Sequence, residues 1–181
     1  HRLANSDGRQ DGGAIGGSYT WDHGYAGLSY SNYDSNYGSP AEDAVRIRMQ
    51  QDHYAFASEI RDLEGPFSSV KLNAGYTDYK HSEIEDGEVG TTFKNKGHDA
   101  RLEMEHVPLG GWRGVVGLQT TKRDFSALGE EAYVAPTLTK KHAAFLVEEY
   151  NLAQWRFEAG LRHEWQDIDV DSATLKDHSA S

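Results

Sequence analysis

The sequence predicts an all-β fold: an antiparallel, up-and-down transmembrane β-barrel segment of about eight strands in four hairpins. Three observations predict it. Apolar and polar residues alternate with a period of two inside the segments. Short turns alternate with long polar connections from one end of the chain to the other. The last predicted strand carries two tryptophans that bound an apolar stripe.

The elements follow in order. Residues 1–11 read as a polar leader and 12–170 as the barrel segment. The first strand is expected over Ala14–Trp21, turning at Asp22-His23-Gly24 into Tyr25–Tyr33. A polar loop through Asp34 to Asp43 leads to Val45–Arg61, which turns at Asp62-Leu-Glu-Gly-Pro66 into Ser69–Lys80. A second long loop, His81 to Gly97, precedes His98–Val107; the tight turn Pro108-Leu-Gly-Gly-Trp-Arg-Gly114 leads into Gly114–Phe125. The third loop, Ser126 to Lys141, leads to His142–Tyr150, and Asn151-Leu-Ala-Gln154 turns into Trp155–Val170. The tail 171–181 is small and polar and is expected to fray. In outer-membrane barrels short turns face the periplasm and long loops face outside.

The last strand shows the alternation best. Trp155, Phe157, Ala159, Leu161 and Trp165 share one face; Arg156, Glu158, Gly160, Arg162 and Glu164 share the other. His163 interrupts the apolar face near one end. On a strand tilted by about 40–45° the two tryptophans stand about 24 Å apart along the membrane normal, the height of a barrel's apolar band. Earlier strands agree: Val70, Leu72, Ala74 and Tyr76 oppose Lys71, Asn73 and Thr77, and Ala100, Leu102 and Met104 oppose Arg101, Glu103 and Glu105. Leu72, Leu102, Trp155, Phe157, Leu161 and Trp165 are therefore expected to face lipid. Arg101, Glu103, Arg156, Glu158 and Arg162 are expected to face a polar lumen, pairing across neighbouring strands. The run Ala143-Ala-Phe-Leu-Val147 is apolar on both faces and assigns no side.

Composition sets the limits. The chain has 181 residues, about one domain, and 37% of them are hydrophobic. No apolar run approaches the ~20 residues of a membrane helix, which excludes helical spanning but not strands. The formal charge of −11 disfavours a nucleic-acid partner. Cysteine is absent, so disulfides and thiolate metal sites are excluded. The chain opens at His1 without Met, as expected of a processed product or a piece of a longer protein. No Gly-x-Ser-x-Gly elbow, His-Glu-x-x-His pair or phosphate-cradling loop occurs, so no catalytic residue is expected.

The residues best suited to a ligand are Asp78, His81, Glu83, Glu85 and Asp86, with Glu88, around the second long loop. Carboxylates and an imidazole in one external loop have the chemistry to meet a divalent cation such as zinc. His53, His98 and His142 each stand where a strand leaves a long loop, a placement that allows them to gather at one mouth, but scattered surface histidines are the favoured account; Glu130-Glu131 is a second acidic spot of the same standing.

Several segments, in order, resemble the barrels of TonB-dependent outer-membrane receptors. They are Tyr33-Asp-Ser-Asn-Tyr-Gly38, Val45-Arg-Ile-Arg-Met49, Gly75-Tyr-Thr-Asp-Tyr79, Phe93-Lys-Asn-Lys-Gly97 and Ala100-Arg-Leu-Glu103. Gly114-Val-Val-Gly-Leu-Gln119, Asp124-Phe-Ser-Ala127 and Glu148-Glu-Tyr150 continue the series. The likeness runs from about Gly12 to Val170 and is strongest to the branch that includes zinc-uptake receptors. Such receptors are barrels of about twenty-two strands with a plugged lumen. The resemblance implies an outer-membrane location and the uptake of a metal or an iron chelate as transported ligand. Contact with TonB is expected only through receptor parts outside this sequence, since no plug domain or TonB box is found in it. Zinc receptors of this type carry a His/Asp-rich insertion between the Asn-Tyr-Gly and Val-Arg-Ile motifs. Here that loop is Ser39-Pro-Ala-Glu-Asp-Ala44, without His, which leaves zinc, a siderophore or another metal chelate open. Two other architectures fit the strand count: a self-contained eight-stranded outer-membrane barrel with an anchoring or adhesion role, and a soluble ligand-binding β-barrel with its apolar faces turned inward.

Overall fold

The computed structural model describes residues 4–42, 44–129 and 132–170, and the backbone alone for 173–180. All regular structure among the described residues is strand: β1 Gly8–Trp21, β2 Gly24–Gly38, β3 Val45–Arg61, β4 Phe67–Glu85, β5 Glu88–His106, β6 Trp112–Gly129, β7 Thr137–Leu152, β8 Trp155–Val170 and β9 Ala173–Ala180. They form one sheet in sequence order, each strand antiparallel to its neighbours. No described helix is long and apolar enough to cross a membrane. β1 and β9 stand at opposite edges of the sheet, so the described strands do not close into a small barrel.

The eight expected strands are present, but longer than their alternation suggests. β1 begins at Gly8, inside the expected leader, and residues 173–180 of the tail expected to fray pair with β8 as a ninth strand. The largest difference concerns the long loops. Residues 81–97 are not a loop: β4 and β5 run to 19 residues each and meet at Asp86-Gly87. Asp86 (φ 49°) and Gly87 (φ 88°) are both left-handed, which is the geometry of a two-residue hairpin whose twist matches its strands. An Asp-Gly pair is the sequence signal for that turn, and the acidic run around it masks the ladder. Ladder replaces coil elsewhere too, as β6 reaches Gly129 and β7 starts at Thr137. The asymmetry between the two ends therefore lies in strand length beyond the apolar residues, not in connection length.

The β7–β8 turn is also two residues, Ala153-Gln154, with Ala153 at φ 54°. A Cβ in that region costs roughly 1–2 kcal/mol. Ala153→Gly is expected to raise the urea midpoint of the intact protein, and Gly87→Ala to lower it. Equal midpoints for all three would contradict the two turn geometries.

Because directly paired residues share a side, the register sorts every side chain onto one of two faces. Rows of partners run unbroken across the sheet. One passes through Gly17, Leu28, Phe56, Ala74, Ala100, Thr120, His142 and Trp165. Leu72 and Leu102 are partners on this apolar face, as are Tyr150 and Phe157, and Leu146 and Leu161. Arg101, Glu103, Arg156, Glu158 and Arg162 lie on the opposite, polar face. The few buried apolar side chains, Ala127, Ala143 and Phe145, lie on the polar face as well, whereas Trp155 and Leu161 on the apolar face are 63% and 70% exposed. The greasy side of this sheet thus has no protein covering it among the described residues.

Candidate functional site on the polar face

The polar face holds a connected network across β5 to β8. The Arg101 guanidinium donates to Glu103 at 2.7 Å and to Gln119 Oε1 at 3.2 Å. Arg162 donates to the same Gln119 oxygen at 3.2 Å and to Glu164 at 2.8 Å. Lys141 closes the chain on Glu164 at 3.6 Å. Gln119 is therefore the joint between two arginines on strands that do not touch each other. Both Arg–Glu pairs run along a single strand, two residues apart, rather than between strands as the alternation suggests. The cross-strand pairs on this face are Lys141–Glu164 and Arg156–Glu149, the latter at 2.6 Å.

Phe145 packs under this network. It fills the space where a side chain at Gly117 would stand, and the Arg101 guanidinium carbon lies 4.1 Å above its ring centre. An aromatic ring covering a cross-strand glycine keeps the sheet continuous and supplies a face for a cation. Above it opens a groove whose lining includes Thr121, Arg123, Thr139, Lys141, Arg162 and the carboxylate of Glu164. Arg123 forms no ion pair among the described residues, so the groove is electropositive at its outer end.

Further outward, His81 stacks on Phe93 at 4.5 Å between ring centres and meets Tyr79 edge-on at 5.5 Å. Phe93 continues to Phe125 at 6.5 Å. His81 lies beyond the apolar residues of β4, and burial in this ring cluster pushes its imidazole below the ordinary range. Its Nδ1 and the nearby Asn95 Oδ1 are buried and have no hydrogen-bond partner among the described residues.

The acidic candidates do not converge. Asp78 lies on the apolar side of β4 and pairs with Lys96 at 3.1 Å, whereas His81, Glu83 and Glu85 point to the polar side. Asp86 sits in the tight turn, and Glu88 is the first residue of β5. A strand sends successive side chains to opposite faces, so a cluster that is dense in sequence becomes divided in space. No group of three metal-ligating side chains occurs among the described residues. The three histidines part in the same way. His53 bonds Thr77 at 2.8 Å on the polar face, while His98 stacks on Tyr76 and His142 bonds Thr120 at 3.0 Å on the apolar face. Glu130 and Glu131 lie outside the described residues.

A family model described as TonB dependent receptor-like, beta-barrel, matches residues 2–181. The chain belongs to that family. Two solved structures share the fold. The copper transporter OprC superposes with a TM-score of 0.81 at 10% identity, over 98% of this chain and 33% of that one. The FrpB iron transporter from Neisseria meningitidis (F5-1 variant, apoprotein form) gives 0.77 at 13% identity, over 96% and 32%. This TonB-dependent receptor barrel chain spans about a third of the length of the structures it matches. Its place is the bacterial outer membrane. The family is one of receptors, not of enzymes, in line with the lack of catalytic motifs.

In this receptor barrel, Phe145, Gln119 and Gly117 are the polar-face residues that sequence reasoning passes over. Phe145 sits in the run that assigns no side, and Gln119 looks like any polar strand residue. Their roles emerge only from register, which sets Gly117 opposite Phe145 and Gln119 opposite both Arg101 and Ala143.

Proposed function

We propose that this chain forms part of the wall of an outer-membrane TonB-dependent receptor that takes up a metal, with the apolar face against lipid and the polar face toward the lumen. The observation that carries the orientation is the slant of the apolar band. One row begins at Trp21 on β1, passes Ile60 and Val70, and ends at Leu161 on β8. A second begins at Ile15 and passes Tyr30, Tyr54, Tyr76 and His98 to reach Lys122, Lys140 and Asp167. Each row thus climbs, strand by strand, from the inner boundary toward the middle, or from the middle into water. Strands tilted by about 40° and spaced about 4.8 Å apart give this drift of about 3 Å per strand. A sheet packed on a protein core has no reason to slant its chemistry.

Aromatic residues stand at both edges of the band. Trp112 and Tyr150 pack at 4.9 Å near the short-turn end, with Trp155 beside them, and the Tyr30–Tyr54–Tyr76–His98 ladder and Trp165 mark the other edge. Amphipathic rings favour the headgroup level. The soluble alternative requires Trp155, Phe157 and Leu161 to be inside, and they are exposed.

For cargo, the polar face favours an anionic metal chelate over a bare ion. Its offered groups are the Arg123 side chain, the Lys141 and Arg162 cations that share the single carboxylate of Glu164, and the Tyr79–His81–Phe93 ring cluster, not a set of convergent ligands. Zinc as a free ion finds no such set among the described residues, which supports the chelate reading over the bare ion for this segment of wall. Energy coupling by TonB would act through other parts of the full receptor.

The test is uptake by cells expressing the full-length receptor. Radiolabelled ferric chelates, copper and zinc would be offered with TonB present and absent. TonB-dependent uptake of an anionic chelate is expected, reduced several-fold by Arg123→Gln with Lys141→Gln. Uptake of none of them sinks the receptor reading; uptake of a bare ion alone, indifferent to both substitutions, sinks the chelate reading.

A further inference from the structure

We propose that His106, Gly114 and Glu148 form a proton-held clasp, which ties β5 to β7 over β6 at the inner end of the sheet and opens when the proton leaves. Register sets the three in one row of the apolar face. Gly114 is the partner of Glu148, and His106 follows Glu105, whose partner is Val115. β5 and β7 are not neighbours in the sheet. Even so, the His106 Nε2 lies 3.1 and 3.2 Å from the two carboxylate oxygens of Glu148. Gly114 makes that reach possible. A Cβ there would stand 2.5 Å from the Glu148 Cδ, so the carboxylate lies over bare backbone.

The contacts fix the number of protons. Nδ1 of the same ring lies 2.7 Å from the Val107 carbonyl oxygen, which can only accept. Nδ1 therefore carries a hydrogen, and a neutral ring would turn the Nε2 lone pair toward a carboxylate. One further proton must lie between ring and carboxylate. The two nearly equal distances fit an imidazolium N–H shared by both oxygens, whereas a carboxylic acid would donate from one of them alone.

The surroundings leave this proton to the pair. On β4 the register partner of His106 is Phe67. β6 presents Gly114 and Trp112 on this face, and β7 adds Tyr150 beside Glu148. Glu105 points to the polar face, where Ser69 donates to it, and Arg113 and Glu149 are partners on that face too. The β3–β4 turn, which meets Val107 through Pro66, carries Asp62, paired with His23, and the exposed Glu64.

Placement gives the clasp its effect. It stands beside Trp112 and Tyr150 at the inner aromatic edge, and its side chains are only 13% and 23% exposed. With the apolar face against lipid, as proposed above, a carboxylate is tolerated there while a partner holds it. Above about pH 6.5, the ordinary histidine value, the closed clasp holds a proton that the unfolded chain gives up. Its contribution to stability is therefore whole below that pH and is lost as pH rises through the titration of the folded site. Glu148 then turns toward headgroup water, and the inner corner of β5 to β7 loosens.

The experiment uses the full-length receptor in vesicles with isotope-labelled histidine, read by the nitrogen resonances of the rings. His106→Gln identifies the His106 signal by its loss; should that variant fail to fold, Glu148→Gln identifies it by its shift. Both nitrogens of His106 are expected to carry hydrogen at about pH 7.5, where an ordinary imidazole is about nine-tenths neutral. Glu148→Gln is expected to lower the midpoint of this titration by about one pH unit. A His106 ring that is neutral at that pH in the unaltered receptor, or a titration unchanged by Glu148→Gln, overturns the inference. Urea midpoints followed by tryptophan fluorescence give a second readout. The advantage of the unaltered receptor over His106→Gln is expected to shrink from about pH 6 to about pH 9, and Gly114→Ala to remove most of it, because the methyl displaces the carboxylate. An advantage that does not change with pH reduces the pair to ordinary packing and overturns the clasp. The lipid-facing reading is tested separately by Leu161→Arg.

Discussion

Replacing Leu161 with arginine is expected to destabilise the full-length receptor by about 2–4 kcal/mol, the cost of a guanidinium on the lipid face near the bilayer midplane. Leu161 is 70% exposed on the apolar face, and its row partner Leu146 is the residue beside it on β7. The control is one residue away. Gly160 points to the polar face, where an added Cβ meets nothing closer than 3.7 Å. Arginine there stands between the Glu158 and Glu164 carboxylates and beside Arg162, and is expected to change stability by less than about 1 kcal/mol. Reversible urea unfolding in vesicles, followed by tryptophan fluorescence, measures both. If Gly160→Arg costs as much as Leu161→Arg, or more, the apolar face does not meet hydrocarbon. The comparison is within one strand and one residue type, so differences in expression or folding yield do not enter it.

The second large effect is expected at Gly117. A valine there would occupy the space of the Phe145 ring. The ring is 8% exposed and supports the Arg101 guanidinium, so displacing it disturbs packing and network together. Overpacking of this kind costs about 1–3 kcal/mol. Phe145→Ala alone opens the same space and should also destabilise. Combining the two is expected to cost less than their sum by at least about 0.5 kcal/mol, because the alanine makes room for the valine. Strict additivity in the same unfolding assay would mean that Phe145 does not cover Gly117. A further readout is chemical: with Phe145 absent, Arg101 loses its aromatic face, and its hydrogen bond to Gln119 is the one remaining link to Arg162.

Much of the architecture was legible in the chain, for reasons particular residues make plain. The alternation from Trp155 to Trp165 fixes two faces because a strand has a period of two and a slip of one residue would exchange them. Once β8 is set, pairing carries the sides to all its neighbours. What stayed hidden was of two kinds. The outer halves of β4 and β5 read as loop because residues beyond the apolar band no longer alternate in hydropathy; only Asp86-Gly87 signals the hairpin. The candidate ligand cluster failed for the opposite reason. Asp78, His81, Glu83 and Glu85 are close in sequence, but the ladder sends Asp78 to the opposite face and spaces the other three about 7 Å apart along one strand. The Gln119 joint and the Phe145 cover involve partners 18 to 43 residues apart, and their distances in sequence carry no periodic signal at all. Local pattern therefore gave the wall, whereas the features of the wall depended on register.

The 19-residue length of β4 and β5 has a consequence of its own. A strand of that length measures about 60 Å, and even inclined it rises well past a hydrocarbon layer of about 25 Å. Hydrogen-bonded ribbon, rather than coil, is thus what projects above the bilayer. On the uptake reading proposed above, a ligand reaching that height would meet a standing surface, and little ordering entropy would be lost on its capture.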